Sequence, residues 1–183
     1  MKIKSLTIYC SASQKLDKKF YKLAKETAEI ISNYEIKVVY GGGNVGLMGE
    51  IAKTLIKLRR EVIGIIPKFL IKTEKKNLGI THIKVVKNMS KRKEYLFKLG
   101  DAFLILPGGT GTLEEVVEVL SWKVLKLHNK PIIFLNFDNS WSPLIKQLNK
   151  IVENNFGNKN LQNQFQVIKN NKQLNKLLHS WTK

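Results

Sequence analysis

A doubly wound α/β fold, a parallel sheet covered by helices on both faces, is predicted by three observations. Short β-branched runs alternate with longer amphipathic stretches along all 183 residues. Most of the runs are continuously apolar, as expected of strands covered on both faces. No internal repeat and no linker rich in Pro, Gly or Ser interrupts them, so residues 1–183 are expected to form one domain. SLTIYC (5–10) reads as the first strand, and DKKFYKLAKETAEIIS (17–32) follows with apolar residues at helical spacing. IKVVY (36–40) leads through glycines into the helical GLMGEIAKTLIKLR (46–59). EVIGII (61–66) and IKVV (83–86) are strands, and KRKEYLFKLG (91–100) is a helix ending on glycine. AFLIL (102–106) is a buried strand before TLEEVVEVLSWKVLKL (112–127), and PIIFL (131–135) is another before the helical WSPLIKQLNKIVEN (141–154). NNFGNKNLQNQ (154–164) is polar and reads as a surface loop before a final amphipathic helix.

Composition excludes several classes. The hydrophobic fraction of 43% is ordinary for a globular protein, and no apolar run approaches the roughly 18 residues of a membrane span. The N-terminal MKIKSLTIYCSAS has the ingredients of a signal peptide, but its short apolar run alternates like a strand and belongs to the mature fold. Cys10 is the only cysteine, which excludes an internal disulfide and a cysteine-based zinc site and suits a reducing cytoplasm. The net charge of +18 has two readings: attraction to nucleic acid, or lysine and asparagine accumulated through A/T-rich codons. The lysines are spread over the chain without a basic motif interleaved with aromatics, so no specific nucleic acid is expected.

Ligands of open α/β sheets bind beyond the carboxyl ends of strands, which directs attention to two glycine-rich loops. YGGGNVGLMGE fits G-x-G-x-x-G at Gly41, Gly43 and Gly46, yet no acidic residue closes the following strand, where a dinucleotide ribose would need one. A structural role, with a tight turn and close helix packing, stands beside a ligand role for Gly42 and Gly43. In LPGGTGTLEEVVEVLSW, Gly108, Gly109 and Gly111 precede a helix whose first N–H groups and dipole make an anion site. It is not a Walker A loop, because no lysine follows Gly111 and Thr112. Thr112-x-x-Glu115 also has the spacing of a capping box, which leaves Glu115 open between capping and catalysis, and Glu114 suits a surface carboxylate near the helix dipole. Arg92 is one of only three arginines among many lysines, so either its planar fork is needed or it is an exposed helix charge. His82, His128 and His179 lack metal-ligand spacing and read as surface or packing residues; no metal and no cofactor are expected.

Taken together, VVYGGGNVGLMG, GIIPKFL, NMSKRK, LPGGTGTLEEVVEVLSW and LHNKP closely resemble the LONELY GUY family of cytokinin riboside 5′-monophosphate phosphoribohydrolases, many of which carry an older lysine decarboxylase-like label. The resemblance runs from about Ser5 to Pro131. It implies a Rossmann-like sheet, a homodimer or higher homo-oligomer, and hydrolysis of the N-glycosidic bond of a nucleoside 5′-monophosphate to free base and ribose 5-phosphate. By the same resemblance the essential arginine is Arg92, with Lys93 beside it, and the motif glutamate is Glu115. The phosphate and ribose loop falls on Gly109, Thr110, Gly111, Thr112 and Glu114, the hydroxyl before the motif tryptophan on Ser121, and an upstream substrate-contacting glutamate on Glu74. Two segments depart from the family pattern: YCSAS has Ser11 where a glycine is usual, and SWKVLKLH has Val124 and Lys126 in place of Gln and Gly. A carboxylate such as Glu115 would stabilise the sugar cation that develops during N-glycoside cleavage and could take a proton from the attacking water. Arg92 is too basic to act as the acid and would anchor phosphate or orient the glutamate.

Overall fold

The computed structural model describes residues 3–73 and 79–182. Its strands are β1 (Ser5–Tyr9), β2 (Lys37–Tyr40), β3 (Val62–Pro67), β4 (His82–Val86), β5 (Ala102–Ile105), β6 (Ile132–Leu135) and β7 (Gln166–Ile168). They form one parallel sheet in the order β4-β3-β2-β1-β5-β6-β7. The main helices are α1 (Lys18–Ser32), α2 (Gly46–Lys57), α3 (Met89–Leu99), α4 (Thr110–Val124), α5 (Ser142–Glu153) and α6 (Asn171–Thr182).

The period of two along the strands sorts the core into two layers. Leu6, Ile8, Leu104 and Leu106 point to one side, under α1, α2 and α6. Tyr9, Phe103 and Ile105 point to the other, under α3, α4 and α5. Helix starts follow from local chemistry. Asp17 accepts the Lys19 N–H at 3.0 Å at the start of α1, and Asn88 accepts the Lys91 N–H at 2.9 Å at the start of α3. Such caps are worth about 1 kcal/mol each, and the second fixes where Arg92 enters its helix.

Two differences from the expected elements stand out. Strand β7 falls in a stretch without apolar periodicity; it is a three-residue edge strand paired only with β6, so tertiary pairing rather than propensity creates it. Helix α4 begins at Thr110 rather than 112, because Gly109 is extended (φ −94°, ψ −159°) and its carbonyl accepts the Leu113 N–H at 2.9 Å.

Asp101 ties the beginnings of β1 and β5 together by accepting the N–H groups of Lys4 and Ser5, each at 2.9 Å. Burial works against its charge, yet these donors and the Ser5 hydroxyl hold its carboxyl below the ordinary value. The folded value being the lower, the stabilisation is complete above the unfolded value of about 4 and is lost as pH falls through the folded one. Asp101→Asn should therefore melt below wild type at pH 7, with the gap narrowing on acidification. Thermal melts at pH 7 and pH 3 test this, and a constant gap would contradict it.

Candidate functional site

The chain runs outward from β1 to β4 and then returns through α3 to β5 on the other side of β1. The topological switch point therefore lies between the carboxyl ends of β1 and β5, where the Ser11 N–H donates to the Pro107 carbonyl at 3.1 Å. Both glycine-rich loops reach this region, and the structure separates their roles.

The first loop is filled by the protein itself. A β-carbon on Gly41 would lie 2.1 Å from Nη2 of Arg92 and 2.9 Å from Sδ of Met48. Gly46, at φ +60°, lies so close to the β1 loop that a β-carbon would meet the Ser11 carbonyl oxygen at 2.6 Å. That carbonyl accepts the N–H groups of Leu47 and Met48 at 2.9 and 3.4 Å, so the start of α2 is occupied by backbone. The glycines of this loop have packing roles of their own: Gly41 accommodates the Arg92 guanidinium, Gly42 holds a left-handed turn at φ +79°, and Gly43 is buried.

The second loop is open. A β-carbon on Gly108 would strike Oγ1 of Thr112 at 2.2 Å, whereas on Gly109 or Gly111 it would meet nothing within 4 Å among the described residues. The cap residue Gly109 has no side chain to bond the first-turn N–H groups of Thr110, Gly111 and Thr112, and no acidic residue occupies that turn. This corrects the capping-box spacing: Thr112 is the third residue of α4, buried against Gly108, and Glu115 lies in the second turn. Glu115 is thus not the reciprocal partner of a Thr112 cap.

Arg92 is 5% exposed, which overturns its reading as a surface helix charge. Tyr9, at the end of β1, brings α3 and α4 into one account. Burial first, then the carboxylates of Glu115, Glu118 and Glu114, push its phenol well above the ordinary value, and Arg92 opposes them. Lys93 bridges the helices by binding Glu114 and, at 3.0 Å, Glu118. Its hydrogen bond to Glu114 is the largest cause of its raised pKa, with burial opposing and Glu118 adding to the rise. Glu114 is thereby an ion-pair partner rather than a carboxylate serving the helix dipole alone.

Not every expected site residue converges. Ser121 is exposed on α4, about 16 Å along the axis from Thr110 at 1.5 Å per residue, and so lies far from the loop within its own chain. Glu74 lies outside the described residues. His128 is a packing residue: the Lys130 N–H donates to its Nδ1 at 3.1 Å, so its Nε2–H donates to the Val119 carbonyl at 2.8 Å. Burial chiefly lowers its pKa and favours this neutral form.

Tyr9 and Glu118 escaped the sequence reading; the one signal for them was a strand-end position and an i+4 relation to Glu114. A cleft of 300 Å³ beside the open loop, lined by Leu16, Phe20, Leu47, Ser140 and the segment 107–109, was equally hidden, since four separate segments build it. A larger depression of 410 Å³ around Arg59, Arg60 and His82 opens at the amino ends of β3 and β4, so size alone does not locate the site. Among the described residues, no helix is long and apolar enough to cross a membrane.

The fold and this cluster define a doubly wound α/β protein with an uncapped, glycine-opened helix start and an acid–guanidinium grouping at its switch point. The family model described as "Possible lysine decarboxylase" matches residues 48–178. The chain is 40% identical over 146 residues to the cytokinin riboside 5′-monophosphate phosphoribohydrolase of Rhodococcoides fascians, covering 79% of this chain and 74% of that protein. It is 37% identical over 155 residues to a rice protein (Oryza sativa subsp. japonica) designated a probable cytokinin riboside 5′-monophosphate phosphoribohydrolase, covering 85% of this chain but 62% of that longer protein. In fold it is similar to the molybdenum cofactor binding protein of the phototrophic bacterium Rippkaea orientalis, with a TM-score of 0.72 over 100% of this chain and 99% of that one; at 20% identity the likeness concerns the fold alone. The chain belongs to the LONELY GUY family, as its glycine and Arg-Lys motifs imply.

Proposed function

We propose that the chain hydrolyses the N-glycosidic bond of adenosine 5′-monophosphates, N6-modified ones of the cytokinin type among them, to free base and ribose 5-phosphate. The observation that carries this reading is the start of α4, where no described residue fills the space in front of Gly109 and Gly111, with Glu115 one turn further along the helix and the buried Arg92 acting on the same Tyr9 phenol as Glu115. The 5′-phosphate binds the first-turn N–H groups and the helix dipole. Anchored there, the sugar is held for cleavage, and Glu115 stabilises the positive charge that grows on the anomeric carbon as the bond to the base lengthens. The same carboxylate takes the proton of the attacking water, and the base leaves with a proton taken from solvent. Arg92 orients phosphate or carboxylate through its fork, and Lys93 restrains Glu114 and Glu118.

The enzyme works in the cytoplasm as one domain without a cofactor, and it pairs with a second copy along α4. Leu113 and Val117 on that helix and Leu125 at its C-terminal cap are exposed, and with Ser121 they recur every four residues. In such a dimer Ser121 faces the partner, which supports a role for it across the interface.

The test is to incubate the protein with AMP, N6-isopentenyladenosine monophosphate and the matching nucleosides, and to assay free base. The monophosphates should be cleaved, and the nucleosides on the order of 10²-fold more slowly, because binding energy from the phosphate is used in the transition state. Equal turnover of adenosine and AMP would refute the assignment of the loop. Gly111→Ala supplies a companion result: alanine in place of a helical glycine stabilises by about 0.5–1 kcal/mol, so melting should hold or rise while KM for the monophosphate increases. An unchanged KM would separate the loop from phosphate.

A further inference from the structure

Acidic side chains are scarce in this chain, 14 against 32 lysines and arginines, yet Glu114, Glu115 and Glu118 fall within five positions of α4. At a rise of 1.5 Å per residue, Glu114 and Glu118 lie about 6 and 12 Å along the axis from Thr110, at the helix start proposed to take the 5′-phosphate. Against a Debye length of about 10 Å at 0.1 M salt, their repulsion of a doubly charged phosphate is screened only in part. Lys123, the one basic residue of α4, stands near the far end of the helix and cannot offset them.

The offset comes from α3. Lys91 and Lys98 are engaged by Glu94 of their own helix, whereas Lys93 reaches across to α4 and binds both Glu114 and, at 3.0 Å, Glu118. Its side chain is 18% exposed against 52% for Glu114, so the ammonium is the covered member of the pair. Two of its three N–H donors are committed to carboxylates four residues apart on one face of α4.

We infer that Lys93 is the counter-ion of α4: by holding Glu114 and Glu118 it cancels one negative charge beside the phosphate site, and it favours phosphate through that cancellation rather than as a ligand of it. The inference rests on the reading of the α4 start as the phosphate site and assigns charge, not contact, to the lysine next to Arg92.

The test compares AMP affinity among variants of one parent, Glu115→Gln, in which cleavage is slowed. Adding Lys93→Gln should raise the dissociation constant of AMP about fivefold, the scale of one charge acting on a dianion at this range in a dielectric close to that of water. Adding Glu118→Gln as well restores the charge balance and should return the constant to within about twofold of the parent. A direct ligand or a merely structural bridge would be lost in both variants alike, so failure of the second change to restore affinity would overturn the inference. The penalty of Lys93→Gln should also shrink at about 0.5 M salt, where screening acts over a shorter distance, and a penalty independent of salt would overturn the inference too. Should Lys93→Gln fold poorly, Glu118→Gln in the same parent decides the matter: it leaves Lys93 with Glu114 alone and should tighten AMP about threefold, and an unchanged or weaker affinity would overturn the proposal. If the parent binds no AMP, the phosphate assignment and this inference fall together. If it binds AMP while the wild type releases no base, the hydrolase reading fails alone, and the comparison of dissociation constants still decides the inference.

Discussion

Glu115→Gln is expected to lower the release of base from AMP on the order of 10²-fold or more, with little change in melting temperature. The magnitude is that of removing one preorganised electrostatic group aimed at charge that develops in the transition state. Glutamine is nearly the same size and keeps one acceptor, so a loss on this scale reports the missing charge rather than disturbed packing. The capping alternative predicts silence, because glutamine serves a capping box as well as glutamate does. Helix α4 weakens that alternative before the experiment is done: its cap is Gly109, and Thr112 is buried three residues beyond the cap, too far into the helix to take the part. A Glu115→Gln protein with wild-type turnover and normal melting would end the catalytic role of this residue and leave the open loop as a phosphate-binding feature without chemistry.

Arg92→Lys and Gly41→Ala should each cause a large loss of activity, for related reasons. Lysine keeps the positive charge but replaces a planar, bidentate fork with a single ammonium, so a loss of tenfold or more would show that geometry matters beyond charge. Gly41→Ala leaves Arg92 in the sequence and displaces it in space. The new methyl would sit 2.1 Å from Nη2 and 3.2 Å from Cζ of the guanidinium, and the 2.9 Å approach to Met48 closes another way out. Gly41 carries no left-handed backbone angle that would make alanine strained in itself, so the guanidinium must give way. A displacement of about 1 Å in a group that orients substrate can cost on the order of 10²-fold. Steady-state kinetics with AMP, alongside melting curves, checks both variants. If Gly41→Ala turned over AMP like the wild type, the position of the Arg92 fork would be irrelevant to catalysis.

The pairing of Gly41 with Arg92 shows where reading from sequence stops. Each residue stands out alone, the glycine in a run after a strand and the arginine as a rarity among lysines. Their contact depends on α3 crossing back beneath β2, β3 and β4 on its way from β4 to β5, which the strand order alone dictates. The two glycine loops carry the same lesson. By composition both are candidate anion sites, and they part only when the Ser11 carbonyl is found bonded at the start of α2 while no described residue comes within 4 Å of a β-carbon on Gly109 or Gly111 at the start of α4.

By itself the sequence determined the alternation of strands and helices, the double coverage of the sheet, the loops at the carboxyl ends and the motifs that identify the family. These rest on periodicity and on backbone preferences that act within a few residues. Tertiary structure alone decided that β7 is a strand, that α4 starts at Thr110, that Lys93 joins Glu114 and Glu118, and that Tyr9 lies among the charges of Arg92 and Glu115. The reason is physical: a hydrogen bond across strands or a charge felt through a buried layer depends on distances set by the order of the sheet, and residues far apart in the chain meet only after that order is established.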